Sequence, residues 1–304
     1  MSEQTMTAAR TEVRTSAVGR RNYPGRRAQL AKRAVGRLLL SLVAIAIGLV
    51  SIFPFYWMIL TSIKPESEIF TVTPRFWTFD PTLSRYTTLL KGEIGHQLLN
   101  SVIIAGGATL CSVVLGMMAA YALSRFAMPA KSVIAVALLV VQMLPAIVVV
   151  IPLFAAYRTT GLLNTYTGVI IAHTALALAL SVWLIRGFLA GIPKELDEAA
   201  LVDGANRFQA LVHIIFPLAL PGVAVSAIFA FITSWNELLL AMTFLQQESM
   251  KTLPGALQQF TSQNGTDWGG TMTASTIFAL PVMIFFVLIR RYLASGAAVG
   301  AVKG

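Results

Sequence analysis

YTGVIIAHTALALALSVWLI, residues 166–185, runs without a single charge into RGFLAGIPKELDEAALVDGANRFQALVHIIFP, residues 186–217. The first stretch is 20 residues long, which is the length a helix needs to cross the apolar interior of a bilayer. The second holds the charges that its neighbour lacks. Pro193 suits a first helical turn, where a missing donor costs nothing. Glu195, Asp197 and Glu198 complement the positive end of that helix. Gly204 can adopt the left-handed conformation that stops it, and Asn206 can cap a new helix just beyond. The stretch therefore predicts a short helix, a glycine elbow and a second helix leading into the next apolar run. Such an elbow either transmits motion to something docked on it or simply joins two spans.

Working outward, further apolar runs, uncharged except for Glu237, occupy residues 38–60, 98–123, 132–156, 217–245 and 271–289, so the chain is expected to cross the membrane six times, as helices. None alternates as a barrel strand would. Composition agrees: 56% of the 304 residues are hydrophobic and 12% charged, with a mean hydropathy of +0.74. A water-soluble domain carries roughly twice that share of charge. Pro145 and Pro152 fall inside the third run, where freed carbonyls are tolerated against protein or a water-filled cavity. Gly106, Gly107 and Gly116 in the second run would allow close helix approach.

The net charge of +10 is unevenly spread. Nine of the 23 basic residues precede the first apolar run, and residues 1–33 read as a disordered, retained basic tail lying against anionic headgroups. A nucleic-acid-binding arm is the alternative reading of the same tail. With the N-terminus inside, seventeen basic residues fall on the inner side and six on the outer, so both termini are expected to be cytoplasmic. Residues 34–304 then form one six-span domain, with an inner loop at 186–213. The single cysteine, Cys111, excludes an intrachain disulfide and reads as a packing residue.

Catalytic chemistry finds little support. No G-x-x-x-x-G-K-[ST] loop is present to cradle nucleotide phosphates. His96, His173 and His213 lie in separate segments without metal spacing, and no H-E-x-x-H or G-x-S-x-G occurs. No catalytic residue and no metal ligand is expected on this chain.

Within the 217–245 run, Glu237 is the one carboxylate well inside a predicted span, beside Trp235 and Asn236. A charge at that depth suggests function, and a ring next to amide and carboxylate groups suits a sugar, whose C–H faces stack and whose hydroxyls bond. Trp235, Asn236 and Glu237, with Gln142, are expected to line or border a substrate path. The other reading makes Glu237 a structural partner of a neighbouring helix.

Glu198-Ala199-Ala200, Gly204, Ile214 and Pro217 resemble the E-A-A-x-x-x-G-x(9)-I-x-L-P motif of the inner-membrane permeases of ATP-binding-cassette importers, with Phe216 in the leucine position. Asn100-Ser101, Gln142-Met143-Leu144-Pro145, Asp203-Gly204-Ala205, Trp235-Asn236-Glu237 and the terminal Gly300-Ala301-Val302-Lys303-Gly304 are similar to the maltose-type, G-like carbohydrate permeases. The resemblance runs from about residue 38 to the end. It implies an all-α, six-helix type I importer fold and a pore half that passes a di- or oligosaccharide by alternating access. The implied partners are a second homologous permease, two ATP-binding subunits and an extracytoplasmic sugar-binding protein, in a bacterial or archaeal cell membrane. On the same resemblance Glu198, Ala199, Ala200, Asp203, Gly204, Ala205 and Pro217 form the ATPase-coupling element, and Lys303 and Gly304 reach the ATPases. ATP and magnesium belong to those partners, and no cofactor to this chain. The outer segment 246–270 is where the family meets its binding protein. An importer of another solute class shares the inner motif. A secondary transporter would call for several intramembrane carboxylates or paired repeats.

Overall fold

In a computed structural model, the protein is described over residues 26–262 and 265–300, with side chains described for residues 35–258, 260 and 266–292. Long apolar helices dominate. The first, α1 (Arg26–Ile63), starts inside the stretch read as tail, because Arg, Ala, Leu and Lys from residue 26 onward are all good helix formers. Residues 1–25 lie outside the described residues. From Val35 to Phe55 nearly every side chain of α1 is exposed and apolar, a surface suited to lipid or to another apolar helix.

Two short helices follow, α2 (Glu66–Ile69) and α3 (Ser84–Lys91), before α4 (Glu93–Arg125), which is 33 residues long and contains no proline. The third apolar run is not one straight span. It is broken into α5 (Lys131–Met143) and α6 (Ala146–Thr160), which meet at 97°. Pro145 explains the break: it disfavours helical geometry in the residue before it, and Leu144 is extended at φ −71°, ψ 126°. Pro152, by contrast, sits inside α6 without ending it.

Next come α7 (Tyr166–Leu189), α8 (Glu195–Val202) and α9 (Arg207–Ala210), then a π-turn over Leu211–Ile215 that runs directly into α10 (Phe216–Trp235). The wide turn precedes Pro217, whose ring crowds the carbonyl four residues back and cannot donate to it. The run expected to reach residue 245 ends as a helix at Trp235. After a break it resumes as α11 (Leu239–Phe244). Beyond α12 (Leu253–Ala256), a two-residue pair of strands, β1 (Thr261–Ser262) and β2 (Gly265–Thr266), aligns Thr261 with Thr266. The last helix is α13 (Trp268–Gly300). Among the described residues five helices are long and apolar enough to span a membrane, or six if α5 and α6 count as one broken span.

At the centre, α4 packs along both α7 and α10, and α10 also packs on α13. Near the C-terminal end of α4 the core is Met117, Tyr121, Val182, Ile185, Leu189, Leu211 and Ile215. Towards its other end Ile104, Val169 and Phe244 form a second cluster, and Ala105, Phe231 and Trp235 a third. Small residues set the approach. A Cβ on Gly116 would lie 3.0 Å from that of Ser181, and one on Gly107 would lie 2.7 Å from the Ile170 side chain. Gly106 has open space instead, and Cys111, expected to pack, is exposed on α4.

Candidate functional site

The elbow forms as its local chemistry dictates. Glu195, Asp197 and Glu198 occupy the first turn of α8. Gly204 closes it at φ +89°, with Ala205 N–H donating to the Ala200 carbonyl at 3.0 Å and Gly204 N–H to that of Leu201 at 3.2 Å. These are the two bonds of a Schellman stop. Asn206 caps α9 by accepting from Gln209 N–H at 2.9 Å, and the Gln209 side chain accepts from Asn206 N–H at 2.8 Å. Sequence reading found the cap but not its reciprocal partner.

The elbow has a wet face and a dry one. Glu198, Ala199, Asp203 and Gly204 are exposed, as is Pro217 in the helix beyond, whereas Ala200 is buried and Ala205 half-buried. Glu198 has no ion-pair or hydrogen-bonding partner for its carboxylate among the described residues. Two large apolar side chains that sequence reading passed over are also exposed on the elbow's two helices. Val202 is 87% exposed and Phe208 65% exposed. Apolar positions on a short, charged helix outside the apolar runs were the available signal.

Asp197, adjacent to Glu198, turns the other way. Its Oδ2 lies 2.8 Å from Arg125 Nε as an ion pair off hydrogen-bond alignment, and its Oδ1 accepts from Tyr121 Oη at 2.7 Å. Arg125 also donates to the Ile192 carbonyl at 3.0 Å.

The expected path residues are separated by the end of α10. Trp235 is 1% exposed, stacked on Phe231 and tilted against Phe278, and its indole N–H donates to the Phe278 carbonyl at 3.2 Å. Glu237 accepts backbone N–H groups of Leu240 and Ala241 and meets His173. Asn236 is exposed, its amide returning to the Ile232 carbonyl at 2.9 Å. Gln142 is exposed on α5, just before the break. Lys303 and Gly304 lie outside the described residues.

At the opposite end of α4 a second set of long-range bonds holds the 246–253 segment. Asn100 donates to the carbonyls of Ser249 and Lys251, both at 2.9 Å, and accepts from Tyr166 Oη at 2.7 Å. Ser101 Oγ accepts from Leu253 N–H at 2.8 Å. Asn164, left-handed at φ 53°, accepts from Gln246 N–H at 2.7 Å.

Residues 112–299 match the family described as binding-protein-dependent transport system inner membrane component, and the chain belongs to that family. It is 34% identical to a diacetylchitobiose uptake system permease protein of Streptomyces coelicolor, over 88% of this chain and 98% of that one. To the trehalose/maltose transport system permease protein of Thermococcus litoralis it is 35% identical, over 88% of this chain and 97% of that one. In fold it resembles a chain of a bacterial ABC transporter involved in importing the acidic polysaccharide alginate. That likeness has a TM-score of 0.72 at 23% identity and covers 86% of this chain and 97% of that one. The protein is thus an ABC-transporter permease, a membrane pore subunit that works with ATP-binding subunits and a substrate-binding protein.

Proposed function

We propose that this chain is the maltose-type, G-like half of a sugar importer's pore, paired with one homologous permease, two ATPases and an external sugar-binding protein. Both termini and the elbow face the cytoplasm, as the excess of inner basic residues supports. ATP and magnesium are held by the ATPases, and this chain supplies no nucleotide site, cofactor or catalytic group. The observation that carries the reading is the elbow: a Schellman-stopped helix that presents Glu198 and Val202 outward while its other face is tied into the bundle.

Sugar as substrate is supported by the relatives, whose names specify diacetylchitobiose and trehalose or maltose. In this reading Gln142 and Asn236, both exposed beside helix breaks, line the path, while Trp235 and Glu237 border it from within the protein. The elbow docks on the ATPase, whose closure switches the pore between inward- and outward-open states. Lys303 and Gly304 extend towards the same partner.

The test is gentle solubilisation of the tagged chain from its native membrane and identification of what accompanies it. A Walker-type ATPase and a second permease are expected, with ATPase activity stimulated by a sugar-loaded binding protein. A stable homo-oligomer with no ATPase would overturn the reading.

A further inference from the structure

Besides its packing, in which Ala200 is buried, the elbow reaches the bundle by three further routes. Two are covalent, since residues 190–194 lead back to α7 and residues 203–206 lead on to α9 and α10. The third is electrostatic. Asp197 and Arg125 form an ion pair whose side chains are each 4% exposed. Tyr121 Oη donates to the other Asp197 oxygen, and Arg125 Nη2 donates to the Ile192 carbonyl. A buried pair incurs a desolvation cost that a plain connecting loop has no need of, since an apolar contact would hold it as well. What the pair adds is a single geometry that resists sliding. On the other side of the elbow, Arg207 lies 5.2 Å from the centre of the Phe126 ring, which meets Tyr121 edge-on. The last turn of α4 is thus gripped from both α8 and α9.

The far end of α4 is gripped too. Asn100 and Ser101 hold the 249–253 segment through three direct bonds. Between these grips the helix is continuous and free of proline; at 1.5 Å per residue the separation is about 38 Å. Of the other described long helices, α7 is also free of proline, whereas α1, α10 and α13 each contain an internal one.

We propose that Asp197 and Arg125, steadied by Tyr121, are positioning residues that weld the elbow to α4, and that α4 is the rigid link carrying displacement from the elbow to the 249–253 segment. The inference rests on the reading of the elbow as the ATPase-docking element. It assigns the coupling to residues outside the motif that docks, and to a helix not contiguous in sequence with it. Without that pair, force on α8 would pass through the chain connections to α7 and α10, the packing of buried Ala200 and the contact of Arg207 with Phe126.

The experiment uses the complete transporter, with both permeases, the ATPases and the binding protein, in proteoliposomes, and measures substrate taken up per ATP hydrolysed. Asp197→Asn and Arg125→Gln are each expected to lower that ratio about tenfold, within the usual range for coupling between sites. Tyr121→Phe should lower it about twofold, and Asp197→Glu should restore much of the loss. A purely structural role would reduce the yield of assembled complex and leave the ratio unchanged. An unchanged ratio in Tyr121→Phe and in whichever charge variants assemble would overturn the link. A wild-type chain that recruits no ATPase would instead overturn the reading of the elbow.

Discussion

Oε2 of Glu237 lies 3.1 Å from Nε2 of His173 and also accepts the backbone N–H of Leu240 at 3.0 Å and of Ala241 at 3.1 Å. One carboxylate thus caps α11 and ties it to α7, while the opposite ring nitrogen of His173 shares a 2.7 Å hydrogen bond with Ser234. A half-buried acid with this many donors around it is occupied by the protein itself. Its neighbour Trp235 is equally committed, through its indole N–H and its stacked rings.

Glu237→Ala is therefore expected to act on stability before substrate. It strands a histidine that is 1% exposed and uncaps α11, at a cost of about 3 kcal/mol. The purified complex should lose thermal stability by roughly 5–10 °C. Glu237→Gln, which keeps one acceptor oxygen, should lose less. A Glu237→Ala complex that melts normally but fails in uptake would place the carboxylate on the substrate path instead.

Asn236→Ala and Gln142→Ala should show the opposite pattern. Both side chains are exposed, so the effect on folding should stay within about 0.5 kcal/mol. If these amides bond sugar hydroxyls, the KM for uptake should rise several-fold with melting unchanged. Uptake measured across substrate concentration, alongside thermal melts, separates the two. Unaltered uptake in both variants would remove them from the path.

The contrast between these residues shows what a sequence can and cannot reveal. The elbow was legible because its determinants are local. A glycine stop, an asparagine cap and an acidic first turn act within a few residues of themselves. Trp235, Asn236 and Glu237 are contiguous in sequence and read as one group, yet the end of α10 at Trp235 sends them to the core, the surface and α11. Pro145 was visible as a breaker, but the 97° bend depends on how α5 and α6 pack, and Pro152 shows that a proline need not end a helix. Arg125 read only as one of several inner basic residues. Its partner Asp197 lies in another segment, and no periodicity connects the two.

Gly204 offers a test of conformation alone. An added Cβ there would meet nothing within 4 Å, but φ is +89°. An L-residue in left-handed geometry costs about 1–2 kcal/mol, least for Asn and most for β-branched side chains. Gly204→Asn should keep much of the ATP-dependent uptake, Gly204→Ala less and Gly204→Val least. If the three variants were equally active in uptake assays, the elbow's sharp turn would be dispensable for coupling.

Asn100→Ala tests the far end of α4. The amide donates to two backbone carbonyls, of Ser249 and Lys251, and accepts from Tyr166. Alanine leaves all three without that partner, at a cost of about 1–3 kcal/mol. Because Asn100 joins α4 to the 249–251 backbone, the loss should fall on that segment rather than on the bundle core. Amide exchange is expected to quicken at residues 246–253, where Leu253 N–H still donates to Ser101, and to stay slow along α4, α7 and α10. Stimulation of the ATPase by the binding protein should fall in step if that segment receives it. Ser101→Ala should give a milder version, since it removes one bond instead of three. Exchange that quickens uniformly across the chain would show that Asn100 supports the whole fold, and the segment would then owe its shape to packing by Phe244, Leu245 and Leu253.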